Sequence, residues 1–336
     1  MDPVSQGALG AALAQSVAGR RRLLAAGFLG ALAGMAPDLD VLIRSSTDPL
    51  LFLDYHRQFT HALVFIPVGA LICAVALHAF VRRHLRFRET WLFCALGYAT
   101  HGLLDACTSY GTQLLWPFSD ARIAWNHVAV VDPLFTVPLV GLLVAGAIRR
   151  QPRLAALALA WAMLYIGVGA LQGQRAQQAA LALAQLRGHA PERLTVKPSF
   201  ANILVWKSIY LAEGDYHVDA IRAGLDVDVI PGDSLPALDL ARDLYWLDPV
   251  SRQARDLERF RRFSAGYLAL DPADAARVID IRYSMVPNAI DALWGIRLSR
   301  DAPPDQPVAF FTERRATAVH RAALWRLVTG PAAADG

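Results

Sequence analysis

The sequence predicts a mainly α-helical membrane protein, with a polytopic bundle of five or six spans followed by a smaller α+β extracytoplasmic domain. Of its 336 residues, 55% are hydrophobic and only 18% are charged. The apolar residues form long runs up to about residue 172, whereas charged and apolar residues alternate from about 190 to 330. Arginines collect between the apolar runs. We therefore expect a membrane domain at 1–172 and a soluble domain at 173–336.

Five apolar stretches are long enough to cross a hydrocarbon core of about 30 Å. They cover residues 23–43, 62–81, 91–110, 128–148 and 154–172. A sixth stretch, 4–19, is short and rich in Ala and Gly, which suits close helix packing, and whether it crosses the bilayer stays open. Its positive charges follow the apolar residues, the reverse of a cleavable signal peptide, so we expect it to be retained.

Three arginine-rich loops fall on one side of the predicted bundle, at residues 20–22, 82–88 and 149–153. The positive-inside rule makes that side cytoplasmic. The sequence therefore predicts a multi-pass protein of the cytoplasmic (inner) membrane with its C-terminal domain outside the cytoplasm. Because the arginines flank apolar runs, the net charge of +4 does not indicate nucleic-acid binding, and the lipid bilayer is the expected partner.

The C-terminal domain carries local signals for strands and helices. The segment NILVWKSIYLAEGDYHVDAIRAG predicts two strands joined by a turn at residues 213–215. DPVSRQARDLERFRRFSAGY predicts a helix that buries Leu257, Phe260 and Phe263. Further strands are expected near 277–284 and 291–299. Cysteine spacing predicts no disulfide framework, and Cys73 and Cys94 are expected in the apolar core.

Ionisable residues gather at the outer end of the predicted spans, although charged groups inside membranes cost on the order of 3 kcal/mol each. The candidate metal ligands are Asp38, Asp40, His56, His61, His101 and Asp105, with His127 and Asp132 at the same level. This set offers the oxygen and nitrogen ligands that suit zinc, manganese or iron. Without a cation, several carboxylates in a low-dielectric pocket would repel one another.

The individual motifs leave alternatives open. His101 and Asp105 are four residues apart and share one helix face, as ligands of one ion or as a hydrogen-bonded pair. Asp38 and Asp40 cannot face one ion on a regular helix unless Pro37 breaks it, and they are also typical of a helix cap. For HRQFTH, a shared site requires His56 in the loop and His61 opening the next helix, with an interfacial polar role as the alternative.

The segments MDPVSQGALG, APDLD, HRQFTHA, GYATHGLLDACTSYGTQLLWPF and HVAVVDPLF together resemble the YdjM-like family of membrane-bound, metal-dependent hydrolases. That family is similar to the zinc phospholipase C and P1 nuclease group, which hydrolyses phosphoesters at clustered metals. The resemblance implies that the six candidates are ligands and that Arg57 and Thr60 are motif residues without a ligand role. The chain departs from the pattern at Ser5-Gln6, in place of Thr-His, and at Gln58 and Ala62, in place of Gly and Ser.

The cluster and the resemblance together favour a metal-dependent hydrolase of a phosphoester, with an amphiphilic or lipid-like substrate at the outer face of the membrane. The expected cofactor is a divalent transition metal, with zinc first. Arg57 would bind substrate charge, and His127 would act as general acid or move a proton. One rival is a non-catalytic protein whose helix ends a metal braces. A transporter is the other, disfavoured because its polar groups would lie near the midplane.

Overall fold

The structure is a computed structural model, and it describes residues 1–330. A helical half precedes a half built on β-sheets, which confirms the predicted order of the two classes of structure. The chain divides into two compact units. The first consists of Met1–Leu42, Tyr55–Leu171 and Phe200–Ile203, and the second of Ile43–Asp54, Gln172–Ser199 and Leu204 onward.

The first half of the chain contains seven α-helices and three short 3₁₀ helices. The α-helices are α1 (Pro3–Ser16), α2 (Leu23–Met35), α3 (Leu51–Tyr55), α4 (Ile66–Val81), α5 (Phe87–Ala106), α6 (Pro133–Arg149) and α7 (Pro152–Leu186). The 3₁₀ helices are Ala36–Leu42, Phe59–His61 and Leu63–Phe65. Several helix ends differ from the predicted spans. α2 ends at Met35 and continues as a 3₁₀ helix, α5 is shifted four residues toward the N-terminus, α6 begins five residues after 128, and α7 continues well past 172.

Three helical stretches are long and apolar enough to cross a membrane: Leu23–Leu42, Leu63–Val81 and Pro152–Leu186. α6 is apolar but has only 17 residues. α5 has 20 residues and includes charged side chains at both ends. The predicted total of five or six spans therefore stays a prediction.

Glycines allow α1, α2 and α5 to pack with their backbones in contact. A Cβ on Gly30 would collide with the carbonyl oxygen of Gly10, and a Cβ on Gly97 would collide with the carbonyl oxygen of Gly30. Small residues at a crossing bring helices close enough for dispersion contacts along the backbone. Cys73 and Cys94 lie in the adjoining apolar core as free thiols, as predicted. This crossing matters because it sets the distance between the elements that carry the candidate ligands.

The second half folds into two antiparallel sheets with short helices. One sheet has the order β1-β2-β3-β4, with β5 also paired to β3, and the other has the order β6-β7-β8-β9. The strands of the first are β1 (Arg193–Pro198), β2 (Val205–Ala212), β3 (Asp215–Ala223), β4 (Val227–Ile230) and β5 (Ser234–Pro236). The remaining elements are α8 (Leu240–Asp243), α9 (Arg252–Phe263), β6 (Leu268–Asp271), β7 (Asp274–Asp280), β8 (Trp294–Arg297), β9 (Ala309–Thr312) and α10 (Ala318–Thr329).

Local chemistry explains the elements that were predicted in this half. Glu213 and Gly214 join β2 to β3 with φ values of 54° and 85°, the left-handed conformations that a two-residue hairpin turn requires. Ser251 caps α9, which buries Leu257 and Phe260 and leaves Phe263 half-buried. β7 and β8 occupy the regions of the two further predicted strands. Apolar side chains from both sheets, including Ile209, Val218 and Ile279, form the core of this unit.

Candidate metal centre

Four side chains of the first unit bring one potential ligand atom each to a single point: Asp38, His61, His101 and Asp105. Asp38 lies on the 3₁₀ helix that follows α2, His61 ends a second 3₁₀ helix, and the other two lie on α5. Three of them are fully buried, whereas the Asp38 side chain is 24% exposed and marks the open side of the cluster. Residues distant in sequence therefore converge at one place inside the bundle.

The spacing of these atoms fits a tetrahedral metal site. Nε2 of His61 lies 2.9 Å from Nε2 of His101 and 3.4 Å from Oδ2 of Asp105. Oδ1 of Asp38 lies 3.4 Å from the first ring nitrogen and 3.5 Å from the second. Along α5, Nε2 of His101 is 3.8 Å from Oδ2 of Asp105. Four ligands about 2.0 Å from a central zinc ion would lie about 3.3 Å apart, so the observed distances bracket the required value.

Hydrogen bonds around the two imidazoles orient their lone pairs toward the centre of the cluster. Nδ1 of His101 lies 2.6 Å from the carbonyl oxygen of Gly34, so this nitrogen carries the proton and donates it. The hydroxyl of Thr60 donates to Oδ2 of Asp40 at 2.9 Å, which leaves its oxygen to accept from Nδ1 of His61 at 2.9 Å. Both Nε2 atoms are then acceptors, as in metal-bound histidines held by outer hydrogen bonds.

The chemistry of this donor set calls for a cation. Two ring lone pairs and two carboxylate oxygens face one another in a buried space, and none of them has a hydrogen to share in these tautomers. Oδ2 of Asp105 is buried and has an ion-pair partner in Nε of Arg57 at 3.1 Å, but it accepts no hydrogen bond among the described residues. A proton on one imidazole or a metal ion would relieve the repulsion. The spacing of the four atoms is compatible with a metal ion.

A second, adjoining group consists of Asp38, Asp40 and His56. Oδ1 of Asp40 lies 2.7 Å from Nδ1 of His56, whose side chain is 30% exposed. Oδ2 of Asp40 accepts hydrogen bonds from the backbone N–H of Arg57 at 3.0 Å and from Thr60. Asp40 thus orients the loop that carries His61, and its group shares Asp38 with the tetrahedral cluster. A second ion could be held at this side, nearer to solvent.

Arg57 lies buried beside the cluster. Its backbone has φ 64°, a left-handed conformation that is uncommon for a residue with a side chain and that often marks functional sites. Nε lies 3.1 Å from Oδ2 of Asp105, and Nη1 donates to the hydroxyl of Thr108 at 3.2 Å. The guanidinium also lies 5.2 Å from the ring centre of Tyr110. These contacts hold a fixed positive charge at the edge of the candidate site.

Two residues at the N-terminal end of the chain, Met1 and the α1 residue Gln6, also reach the cluster, which the sequence predicted only in part. The amide nitrogen of Gln6 donates to Oδ1 of Asp105 at 2.9 Å, and the amino group of Met1 forms an ion pair with the same oxygen. Oε1 of Gln6 is buried and has no hydrogen-bond partner among residues 1–330. Gln6 thus orients a ligand through its nitrogen. The signal for it was its position in the family motif; Met1 and Thr108 also lie within the motif segments, but nothing in the sequence singled them out.

The structure does not bring His127 and Asp132 into either ligand group. The ring of His127 stacks on that of Trp125, with centres 6.2 Å apart. Asp132 caps α6 by accepting from the backbone N–H groups of Leu134 and Phe135, and it accepts a further bond from the Tyr165 hydroxyl at 2.8 Å. Asp132 is therefore a structural residue, and the proton-transfer role of His127 stays a prediction.

Helices apolar enough to cross a bilayer and a buried His/Asp cluster define the class: a membrane protein with a candidate metal centre. Comparison with known proteins specifies it further. The YdjM inner membrane protein family matches residues 1–176, and the chain belongs to this family. Its predicted relation to the phospholipase C and nuclease group stays a prediction.

Two relatives show how far the similarity extends. The inner membrane protein YbcI of Escherichia coli K12 is 30% identical over 147 residues, which are 38% of this chain and 84% of that protein. The uncharacterized protein YfhP of Bacillus subtilis strain 168 is 28% identical over 110 residues, 32% of this chain and 33% of the relative. No solved structure matches the chain significantly. The similarity therefore supports a location in the inner membrane.

Proposed function

We propose that the protein is a metal-dependent hydrolase of a phosphoester, acting on an amphiphilic substrate at the outer face of the cytoplasmic membrane. The observation that supports this most is the convergence of four ligand atoms at tetrahedral spacing beside a buried arginine. A bound divalent metal, zinc by the donor set, would supply a Lewis acid for the phosphoryl group and an activated water. The predicted multi-pass topology with an extracytoplasmic C-terminal domain is part of the proposal.

The chain's own residues would bind and orient the substrate. The far amino group of Arg57, Nη2, can donate to a phosphoryl oxygen while Nε and Nη1 stay bound to Asp105 and Thr108. Access is through the side of Asp38 and His56, the two partly exposed members of the groups. Since the α2 helix leading to Asp38 is part of an apolar span, an amphiphilic substrate could reach this opening from the bilayer surface.

A non-catalytic metal brace is the second candidate, and the burial of three of the four ligands favours it. Such a site would join α2, α5 and the HRQFTH loop without turning over a substrate. The two candidates share the metal and differ in the need for Arg57. In a closed structural site, the guanidinium of Arg57 would contribute to stability only and would have no substrate to bind.

Metal content per chain is the first measurement, by elemental mass spectrometry on detergent-purified protein. We expect at least one tightly held transition metal in the wild type and its loss in His101→Ala and Asp105→Ala. His84→Ala, a change at an exposed histidine outside both ligand groups, should keep it. Absence of metal even after incubation with zinc or manganese would refute both candidates and would leave a hydrogen-bonded polar network.

Hydrolysis of a panel of soluble and lipid-linked phosphoesters then separates the two candidates. Arg57→Met should keep the metal and lose most of the hydrolysis, because the substrate charge loses its partner. A metal-loaded wild-type protein that hydrolyses none of the panel would support the structural brace instead.

A further inference from the structure

The exposed side chains of α7 change from apolar to polar close to Leu171. After the exposed Arg153 in its first turn, the exposed side chains of this helix up to Leu171 are apolar, including Leu157, Met163, Leu164, Val168 and Leu171. In the next two turns the exposed face is polar, with Gln174, Gln177 and Gln178, and exposed leucines return only at Leu181 and Leu186. From Pro152 to Leu171 the helix is about 30 Å long, the thickness of a hydrocarbon core. For α7 as a membrane span, the bilayer boundary falls close to residues 171–175.

The turn between β3 and β4 is attached to α7 at this boundary. Arg175 donates from Nη1 to the carbonyl oxygen of Gly224 at 2.6 Å and from Nη2 to that of Leu225 at 2.8 Å. The side-chain amide of Gln172 donates to the carbonyl oxygen of Ala223. Three consecutive carbonyl groups of the turn are thus bonded to the helix within one turn of Leu171. The turn is therefore held beside the end of the apolar segment of α7.

Leu225, in this turn, is exposed to solvent. The side chain of Leu225 is fully exposed, at 101%. Leu204, which is 39% exposed, lies at the start of the same turn, since its carbonyl oxygen accepts from the N–H of Ala223 at 2.7 Å. An isolated exposed leucine needs no explanation in a soluble protein. Here, however, the turn that carries Leu225 is hydrogen-bonded to α7 at the point where the apolar exposed surface of that helix ends.

We propose that the β3–β4 turn is a membrane anchor, in which Leu225 inserts into the interfacial layer of the bilayer that α7 crosses. We infer that lipid covers Leu225, because the exposed face of α7, to which the turn is bonded, is apolar as far as Leu171. The exposed carboxylate of Asp226 next to it restricts the insertion to the headgroup layer. The inference depends on α7 crossing the membrane and does not depend on the proposed hydrolase activity.

The experiment places an environment-sensitive fluorophore on the turn of the full-length protein in proteoliposomes. Leu225→Cys is labelled in a background in which the buried Cys73, Cys94 and Cys107 are replaced by alanine. The matched control is Leu186→Cys, an exposed leucine (86%) on the same helix, about 22 Å beyond Leu171. Quenching is measured with aqueous iodide and with lipids that carry a quencher near the headgroup.

We expect lipid quenching and shielding from iodide at position 225, and the reverse at position 186. Arg175→Gln should release the turn and reduce the lipid quenching at 225, with the circular dichroism spectrum unchanged. Equal iodide quenching at both positions would overturn the proposal. Shielding from iodide without lipid quenching would also overturn it, because it would show that protein covers the turn.

Discussion

Zinc should stabilise this protein through His101, and removal of that imidazole should abolish the effect. In the structure, five of the six distances between the four ligand atoms are 2.9–3.8 Å, and all four atoms lie within 4.8 Å of one another, so binding requires little rearrangement of the bundle. Because binding is selective for the folded state, its free energy adds to the free energy of unfolding. His101→Ala removes one of four ligands and leaves the carbonyl oxygen of Gly34 without its donor.

The size of the effect follows from occupancy. At a free zinc concentration of about 100 times Kd, the stabilisation is about 2.7 kcal/mol. For a unit of this size, each kcal/mol raises the thermal midpoint by about 2–4 °C, so we expect a rise of about 5–10 °C. His101→Ala also creates a cavity and lowers the midpoint of the metal-free protein. The zinc-induced shift is therefore the quantity to compare, and not the midpoint itself.

The assay is a thermal melt in detergent, after chelation and then with graded zinc. Wild type and His84→Ala should show the same zinc-induced rise, and His101→Ala should show none. An equal rise in His101→Ala and wild type would refute the assignment, because the zinc would then bind elsewhere. No rise in wild-type protein would show that the cluster is held by protons and hydrogen bonds.

Three further predictions concern neighbouring features. Thr60→Val should lower zinc affinity about 10- to 100-fold in a zinc titration, because His61 loses the partner that orients it, whereas Thr60→Ser should not. Asp132→Ala should cost about 2–4 kcal/mol in thermal melts, because it removes the cap of α6 and leaves the buried Tyr165 hydroxyl without its acceptor, with metal content unchanged. Burial lowers the pKa of the Lys207 ammonium to about 7, against about 10.4 in an unfolded chain. Between these values the unfolded state binds the extra proton, so the thermal midpoint should rise with pH from 7 toward 10. Burial also lowers the pKa of the Lys197 ammonium to about 7, so Lys207→Met should reduce that rise without removing it.

Local chemistry made part of the fold predictable. A hairpin turn needs left-handed backbone at two positions, which Glu213-Gly214 supplies, and the helix α9 follows from its Ser251 cap and the spacing of its apolar residues. Long apolar runs with arginines between them indicate membrane helices because lipid tolerates no unpaired backbone. The length of α7 could not be predicted in this way, because its second part is amphipathic and packs on the sheet through residues such as Ala184.

For the candidate site, the sequence by itself identified which residues could be ligands, because carboxylates and imidazoles in apolar surroundings are costly and stand out. It also indicated that they collect at one end of the bundle. Only the tertiary structure decided which of them share one centre. The contact of α2 with α5 at Gly30 and Gly97, and the 3₁₀ helix after α2, bring Asp38 to His61 and His101 and leave Asp40 with His56. Such distances depend on how helices pack, and helix packing depends on contacts between residues far apart in the chain, which no local pattern records.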